Sequence, residues 1–126
     1  MSLRPGLEIT PRDAKAKLEA GSLLLIDCRT QEEWDAVHVA GSVHIPLHEL
    51  EQRVDEVLAK PGQQVAVLCH HGVRSLKGAL ALRQIGFPLA QSVAGGIDLW
   101  SIAADARVVQ YDRDASGLRT RPARST

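Results

Sequence analysis

Residues 65–75 read Val65-Ala66-Val67-Leu68-Cys69-His70-His71-Gly72-Val73-Arg74-Ser75. The apolar run Val65 to Leu68 is a short buried strand that leads into Cys69. A polar, basic loop with Gly72 at its middle follows, and a helix-like segment extends from about Ser75 to Ile85. A strand, a tight loop and a helix in that order gather backbone N–H groups around an anion. Here the residue facing into the ring is a cysteine. Amide donors and a helix N-terminus favour the thiolate, which is the nucleophilic form of the side chain. Arg74, five residues after Cys69, adds positive charge at the rim. The plainer alternative is a cysteine buried for packing at a strand end, since cysteine is among the most often buried residue types. Gly72 and the basic loop weigh against it, because such a loop makes a poor core element.

Outward from this stretch, apolar runs alternate with helical patterns. Leu7-Glu8-Ile9 reads as a short edge strand. Thr10-Pro11-Arg12-Asp13 opens a helix, with Thr10 as N-cap, Pro11 at the first helical position and Asp13 near the positive end of the dipole. Gly21 stops that helix, and Leu23 to Ile26 is a strand buried on both faces that ends in Asp27-Cys28-Arg29. Thr30-Gln31-Glu32-Glu33 is a capping box for a short helix through Trp34 to about Val37. Gly41 breaks the chain, and Ser42 to Ile45 is a strand closed by Pro46. Leu47, Leu50, Val54 and Leu58 recur at helical spacing, and Pro61-Gly62 is a turn. After the cysteine loop, Leu76, Ala79, Leu80, Leu82 and Ile85 form an apolar helix face that Gly86 ends. A strand near Gln91 to Val93 then precedes Gly95-Gly96 and a last helical piece with Ile97, Leu99 and Trp100. This alternation predicts an α/β fold with a mainly parallel central sheet and helices on both faces. Ligands of such sheets bind at the carboxyl ends of the strands, where Asp27-Cys28-Arg29 and Cys69 both fall.

The 126 residues suit one domain, over residues 1–111, followed by a polar tail, 112–126, expected to be flexible. Hydrophobic residues make up 44% and aromatics only 3%, so the core is aliphatic. A formal net charge of zero argues against nucleic acid or an acidic membrane as a general partner. Two cysteines without zinc spacing or a disulfide framework point to a reducing compartment. No stretch approaches a signal peptide or the roughly 20 apolar residues of a membrane span, so a cytoplasmic location is expected.

Several blocks, in order over about residues 7–111, resemble the rhodanese family of sulfurtransferases. Leu25-Ile26-Asp27-Cys28-Arg29 resembles the family's strand closing in D-x-R, and Glu32-Glu33-Trp34 its acidic-acidic-aromatic segment. His38-Val39-Ala40-Gly41-Ser42-Val43-His44-Ile45-Pro46 is similar to H-I-x-G-A-x-x-I-P, and Cys69 to Ser75 to the active-site loop C-x-x-G-x-R-S. Gly86-Phe87 and Gly95-Gly96-Ile97 with Trp100 are similar to its closing blocks. The resemblance implies a three-layer sandwich and catalysis by Cys69 through a persulfide, with no metal and no organic cofactor. The loop residues His70, His71, Gly72, Val73, Arg74 and Ser75 would bind the transferred sulfur. The donor would be a small anion such as thiosulfate, and the acceptor cyanide, a thiol or a protein cysteine. Cysteine phosphatases place arginine six residues after the nucleophile, so the shorter spacing here weighs against phosphatase or arsenate-reductase chemistry. A catalytically silent rhodanese-like binding module is the other alternative, weakened by the presence of Cys69.

Asp27, Arg29 and Glu33 read as a supporting ion-pair network behind the loop, and His38 as a hydrogen-bonded structural histidine. His44 and His48 are four apart, but Pro46 between them spoils a helical metal pair. Cys28 stands where the family more often has a small aliphatic residue. It is either a buried packing thiol or a resolving partner for Cys69, and side-chain direction decides between them.

Overall fold

The computed structural model describes residues 3–57, 59 and 62–122. Five parallel strands form the central sheet: β1 (Glu8–Ile9), β2 (Leu23–Asp27), β3 (Val43–His44), β4 (Gln64–Leu68) and β5 (Gln91–Val93), in the order β1-β5-β4-β2-β3. The helices are α1 (Pro11–Glu19), α2 (Gln31–Ala36), α3 (Val73–Gln84) and α4 (Gly96–Ala103). Among the described residues no helix is long and apolar enough to cross a membrane.

Strand alternation divides the core. Leu23 and Leu25 of β2 and Ala66 and Leu68 of β4 face one side, where Ala14 of α1 and Ile97 and Trp100 of α4 cover them. Ile26, Cys28, Val65, Val67 and Cys69 face the other side, beneath Ala79 and Leu82 of α3. Leu25, Ile26, Leu68 and Leu82 are fully enclosed, and each such side chain contributes about 1.5–3 kcal/mol by leaving water. The caps of α1 and α2 form as their residues dictate. Thr10 accepts the Asp13 N–H, while Thr30 and Glu33 satisfy one another's backbone donors in a reciprocal box.

Two expectations are corrected. Among the described residues, the apolar spacing from Leu47 onward produces no α-helix, only 3-10 turns at Leu47–Glu49 and Val54–Glu56; Leu58 lies outside them. The Leu47 N–H is drawn away to the Cys28 carbonyl at 3.0 Å, and the Glu49 and Leu50 N–H groups bond three residues back. The region from Asp112, expected to be a flexible tail, begins with an antiparallel hairpin, β6 (Tyr111–Asp114) and β7 (Gly117–Thr120). Its charges are paired across the strands, Arg121 with Asp112 and Arg119 with Asp114, each at 2.7 Å. Such surface pairs contribute little, about 0–1 kcal/mol each. The anchor is Tyr111, which is 1% exposed in the α1/α4 core, with Leu118 packed beside it.

Candidate active site

Cys69 follows the last residue of β4, and α3 begins four residues later at Val73. Gly72 makes this closure. It takes φ +98°, a left-handed conformation that glycine adopts without strain, and its N–H donates to Cys69 Sγ at 3.0 Å. The Cys69 thiol donates to Ser75 Oγ at 3.2 Å, and Ser75 Oγ lies 2.7 Å from Ser92 Oγ in β5. Both serines are wholly buried and Cys69 is 1% exposed. From below, α4 holds the loop: Ile97 N–H donates to the Cys69 carbonyl at 2.8 Å and Asp98 N–H to the His70 carbonyl at 3.1 Å. This contact requires glycine at position 96, where φ is +61° and a Cβ would collide with the carbonyls of Cys69 and His70.

Arg74 grips Glu33, with Nη1 to Oε1 at 2.7 Å and Nη2 to Oε2 at 2.9 Å. Glu33 is fully buried and also accepts from Arg113 at 3.0 Å, from Tyr111 OH, and from the Thr30 N–H and hydroxyl. Burial opposes its charge, but hydrogen bonds from Arg74 and Tyr111 outweigh it and hold the carboxyl far below the usual range. Asp27 and Arg29 form a second buried pair, 2.7 Å apart, and Arg29 also donates to Tyr111 OH and to the Val37 carbonyl. Asp27, Arg29, Glu33 and Arg74 are therefore one network, and Tyr111 OH joins its halves. His38 lies outside it, exposed, stacked on Trp34 and donating to the Trp34 carbonyl. His44 donates to the Arg29 carbonyl at 2.7 Å, and exposed His48 sits beside Glu49.

His70 and His71 stack on one another, and His70 stacks in turn on Tyr111 and donates to its carbonyl. Burial and the neighbouring His71 push the His70 pKa down. The two imidazoles and Asp98 have donor atoms within 4.8 Å of one another and so offer a metal ion three ligands, although His71 is largely exposed. They line a cleft of about 580 Å³ together with Arg113 and Arg121.

A family model for the Rhodanese-like domain matches residues 10–103. The chain belongs to the rhodanese-like domain family. This rhodanese-like chain is 39% identical over 109 residues to a "Probable adenylyltransferase/sulfurtransferase MoeZ" of Mycobacterium tuberculosis, with 84% of the chain but only 27% of that protein aligned. It thus spans about a quarter of that relative's length. A "Thiosulfate sulfurtransferase GlpE" of Pseudomonas syringae is 34% identical over 103 residues, covering 81% of this chain and 93% of its own. Among solved structures, a rhodanese-related protein from Thermoplasma volcanium superposes with a TM-score of 0.67 at 28% identity, over 78% of this rhodanese-like chain and 93% of its own.

Sequence reasoning did not single out Ser92, Tyr111 or Arg113. Ser92 carried a faint signal, as a hydroxyl in the middle of a short buried strand. Tyr111, the chain's one tyrosine, stood at the expected domain edge, and Arg113 in a segment expected to be a flexible polar tail.

Proposed function

We propose that the chain is a sulfurtransferase that carries a sulfane sulfur on Cys69 from a small anionic donor, with thiosulfate as the laboratory representative, to a thiophilic acceptor. The observation that carries the reading is the setting of Cys69 Sγ, under a loop amide and beside a buried hydroxyl, at the start of α3. The Cys69 thiolate attacks the outer sulfur of the donor, the donor's S–S bond breaks, and sulfite leaves with the electron pair. Negative charge then rests on the outer sulfur of the persulfide. The Gly72 N–H, the Ser75 hydroxyl rotated to donate, and the N-terminus of α3 supply preorganised donors for it. An acceptor nucleophile takes the outer sulfur and returns Cys69 as thiolate. Cyanide, a small thiol or a protein cysteine meets that requirement.

Arg74 works chiefly by pinning, since Glu33 occupies both sides of its guanidinium fork, while its charge remains near the sulfur. His70, His71, Gly72, Val73 and Ser75 form the rest of the binding loop, and Asp27, Arg29 and Glu33 support it. The spacing of five residues from Cys69 to Arg74 disfavours phosphate transfer, and the intact nucleophile disfavours a silent binding module. Two unpaired cysteines suit a reducing cytoplasm. The test is thiocyanate release from thiosulfate and cyanide. The parent is expected to turn over and Cys69→Ser to be inactive with its fold retained, because the swap is nearly isosteric. Turnover by Cys69→Ser would refute the reading.

A further inference from the structure

Cys28 and Cys69 are neighbours on adjoining strands. β2 and β4 pair in parallel up to Asp27 opposite Leu68, and the Cys28 N–H extends the ladder to the Leu68 carbonyl at 2.9 Å. The next residue on each strand is a cysteine. Both side chains belong to the core beneath α3, so they point to the same face of the sheet. Neighbouring strands lie about 4.8 Å apart, within the roughly 4.4–6.8 Å Cα separation that a disulfide takes. After burial, Cys69 is the largest influence on the Cys28 thiol, ahead of Asp27, and the charge of Arg74 reaches both cysteines.

We propose that Cys28 is a resolving thiol, which discharges a persulfide on Cys69 as hydrosulfide and closes a Cys28–Cys69 disulfide. The inference rests on the persulfide reading above and adds a second activity to it, persulfide reduction. Cys28 Sγ attacks Cys69 Sγ, and the bond from Cys69 Sγ to the outer sulfur breaks. The outer sulfur leaves with that electron pair, takes the Cys28 proton and departs as hydrosulfide. The sulfane sulfur is thereby reduced to sulfide and the two cysteine sulfurs are oxidised together, so no outside oxidant enters. A dithiol reductant must reopen the disulfide before the next cycle. Cys28 lines a cleft of about 290 Å³ with Thr30, Pro46, Leu47 and Arg74, which gives such a reductant an approach to its sulfur.

The same surroundings set the pace. Burial, followed by Cys69 and Asp27, pushes the Cys28 thiol up, so it rests protonated at neutral pH. A protonated thiol is a slow nucleophile. An acceptor at working concentration therefore takes the sulfur first, and Cys28 clears it when acceptor is scarce.

The experiment loads the parent protein with thiosulfate, removes excess donor by desalting, and holds the protein without thiol under argon. Intact mass, released sulfide and a peptide map of the alkylated protein are followed with time. The expected result is an initial gain of one sulfur atom that gives way to a chain two hydrogens lighter than the reduced protein. One sulfide is released per chain, and a peptide joins Cys28 to Cys69. Cys28→Ser and Cys28→Ala keep the sulfur many-fold longer. A parent that holds its sulfur as long as the variants, or sheds it without the joined peptide, overturns the resolving role and leaves the persulfide reading standing. No sulfur gain at the outset overturns both. The peptide map needs only the parent, so a variant that fails to fold does not weaken the test.

Discussion

Arg74 and Glu33, 41 residues apart in the chain, are joined by two parallel hydrogen bonds of 2.7 and 2.9 Å. One residue stands in the first turn of α3, just after the cysteine loop, and the other in α2, so the pair ties the start of α3 to α2. Arginine's planar fork gives this geometry, and lysine cannot reproduce it. Arg74→Ala and Arg74→Lys are both expected to lower stability, by about 2–4 kcal/mol, because each leaves Glu33 short of partners. Turnover in thiocyanate release should fall in both without vanishing. Lysine should recover little of it. Near-parental turnover in Arg74→Lys would show that charge at the rim matters and pinning does not.

Glu33 makes the fold acid-sensitive. Its carboxyl titrates lower in the folded chain than the 4.5 of an ordinary glutamate, so it contributes stability that is present above that value. The contribution is lost progressively as pH falls below it toward the depressed folded value. Thermal melts of the parent should therefore drop from pH 5 downward. Glu33→Gln should melt lower than the parent at neutral pH and show a shallower acid slope. Equal slopes would contradict this role for Glu33.

Gly96 carries the loop's support. Gly96→Ala forces a left-handed conformation on alanine and drives its Cβ into the Cys69 and His70 carbonyls. The expected loss is about 2 kcal/mol or more, from backbone strain and overpacking together, with slower sulfur transfer. Gly21 has a similar positive φ, but nothing lies within 4 Å of its added Cβ. Gly21→Ala should cost only about 1 kcal/mol and leave transfer unchanged. Chemical denaturation and the thiocyanate assay on both variants distinguish crowding from backbone strain.

The hairpin is part of the network. Tyr111→Phe removes a hydroxyl that donates to Glu33 and accepts from Arg29, and hydrogen bonds to charged groups contribute about 1.5–3 kcal/mol. A chain ending at Gln110 should lose more, since the ring itself fills the α1/α4 core. Circular dichroism melts of the two proteins check this, and a truncated chain as stable as the parent would show that residues 111–120 are dispensable for the fold.

Where the sequence was legible, the signal was local. The N-cap of α1, the capping box of α2, the apolar runs of β2 and β4, and the loop glycine each announce their structure within a few residues. The parallel order of the sheet followed from their alternation. The segment after Pro46 misled because Leu47 and Leu50 suit both helix types, and the bond from Leu47 to the distant Cys28 carbonyl is invisible in one dimension. The hairpin misled because a polar segment carrying Arg113, Arg119 and Arg121 reads as a flexible tail, although the carboxylate partners of these arginines are Glu33, Asp114 and Asp112. The direction of the Cys28 side chain needed the register of β2 against β4.

The most direct measurement is the intact mass of the protein taken promptly after incubation with thiosulfate and again after cyanide. The account predicts a gain of one sulfur atom on the parent, absent from Cys69→Ser, and its removal by cyanide with thiocyanate released. A parent whose mass does not change, or a Cys69→Ser chain that gains the same sulfur, would contradict it.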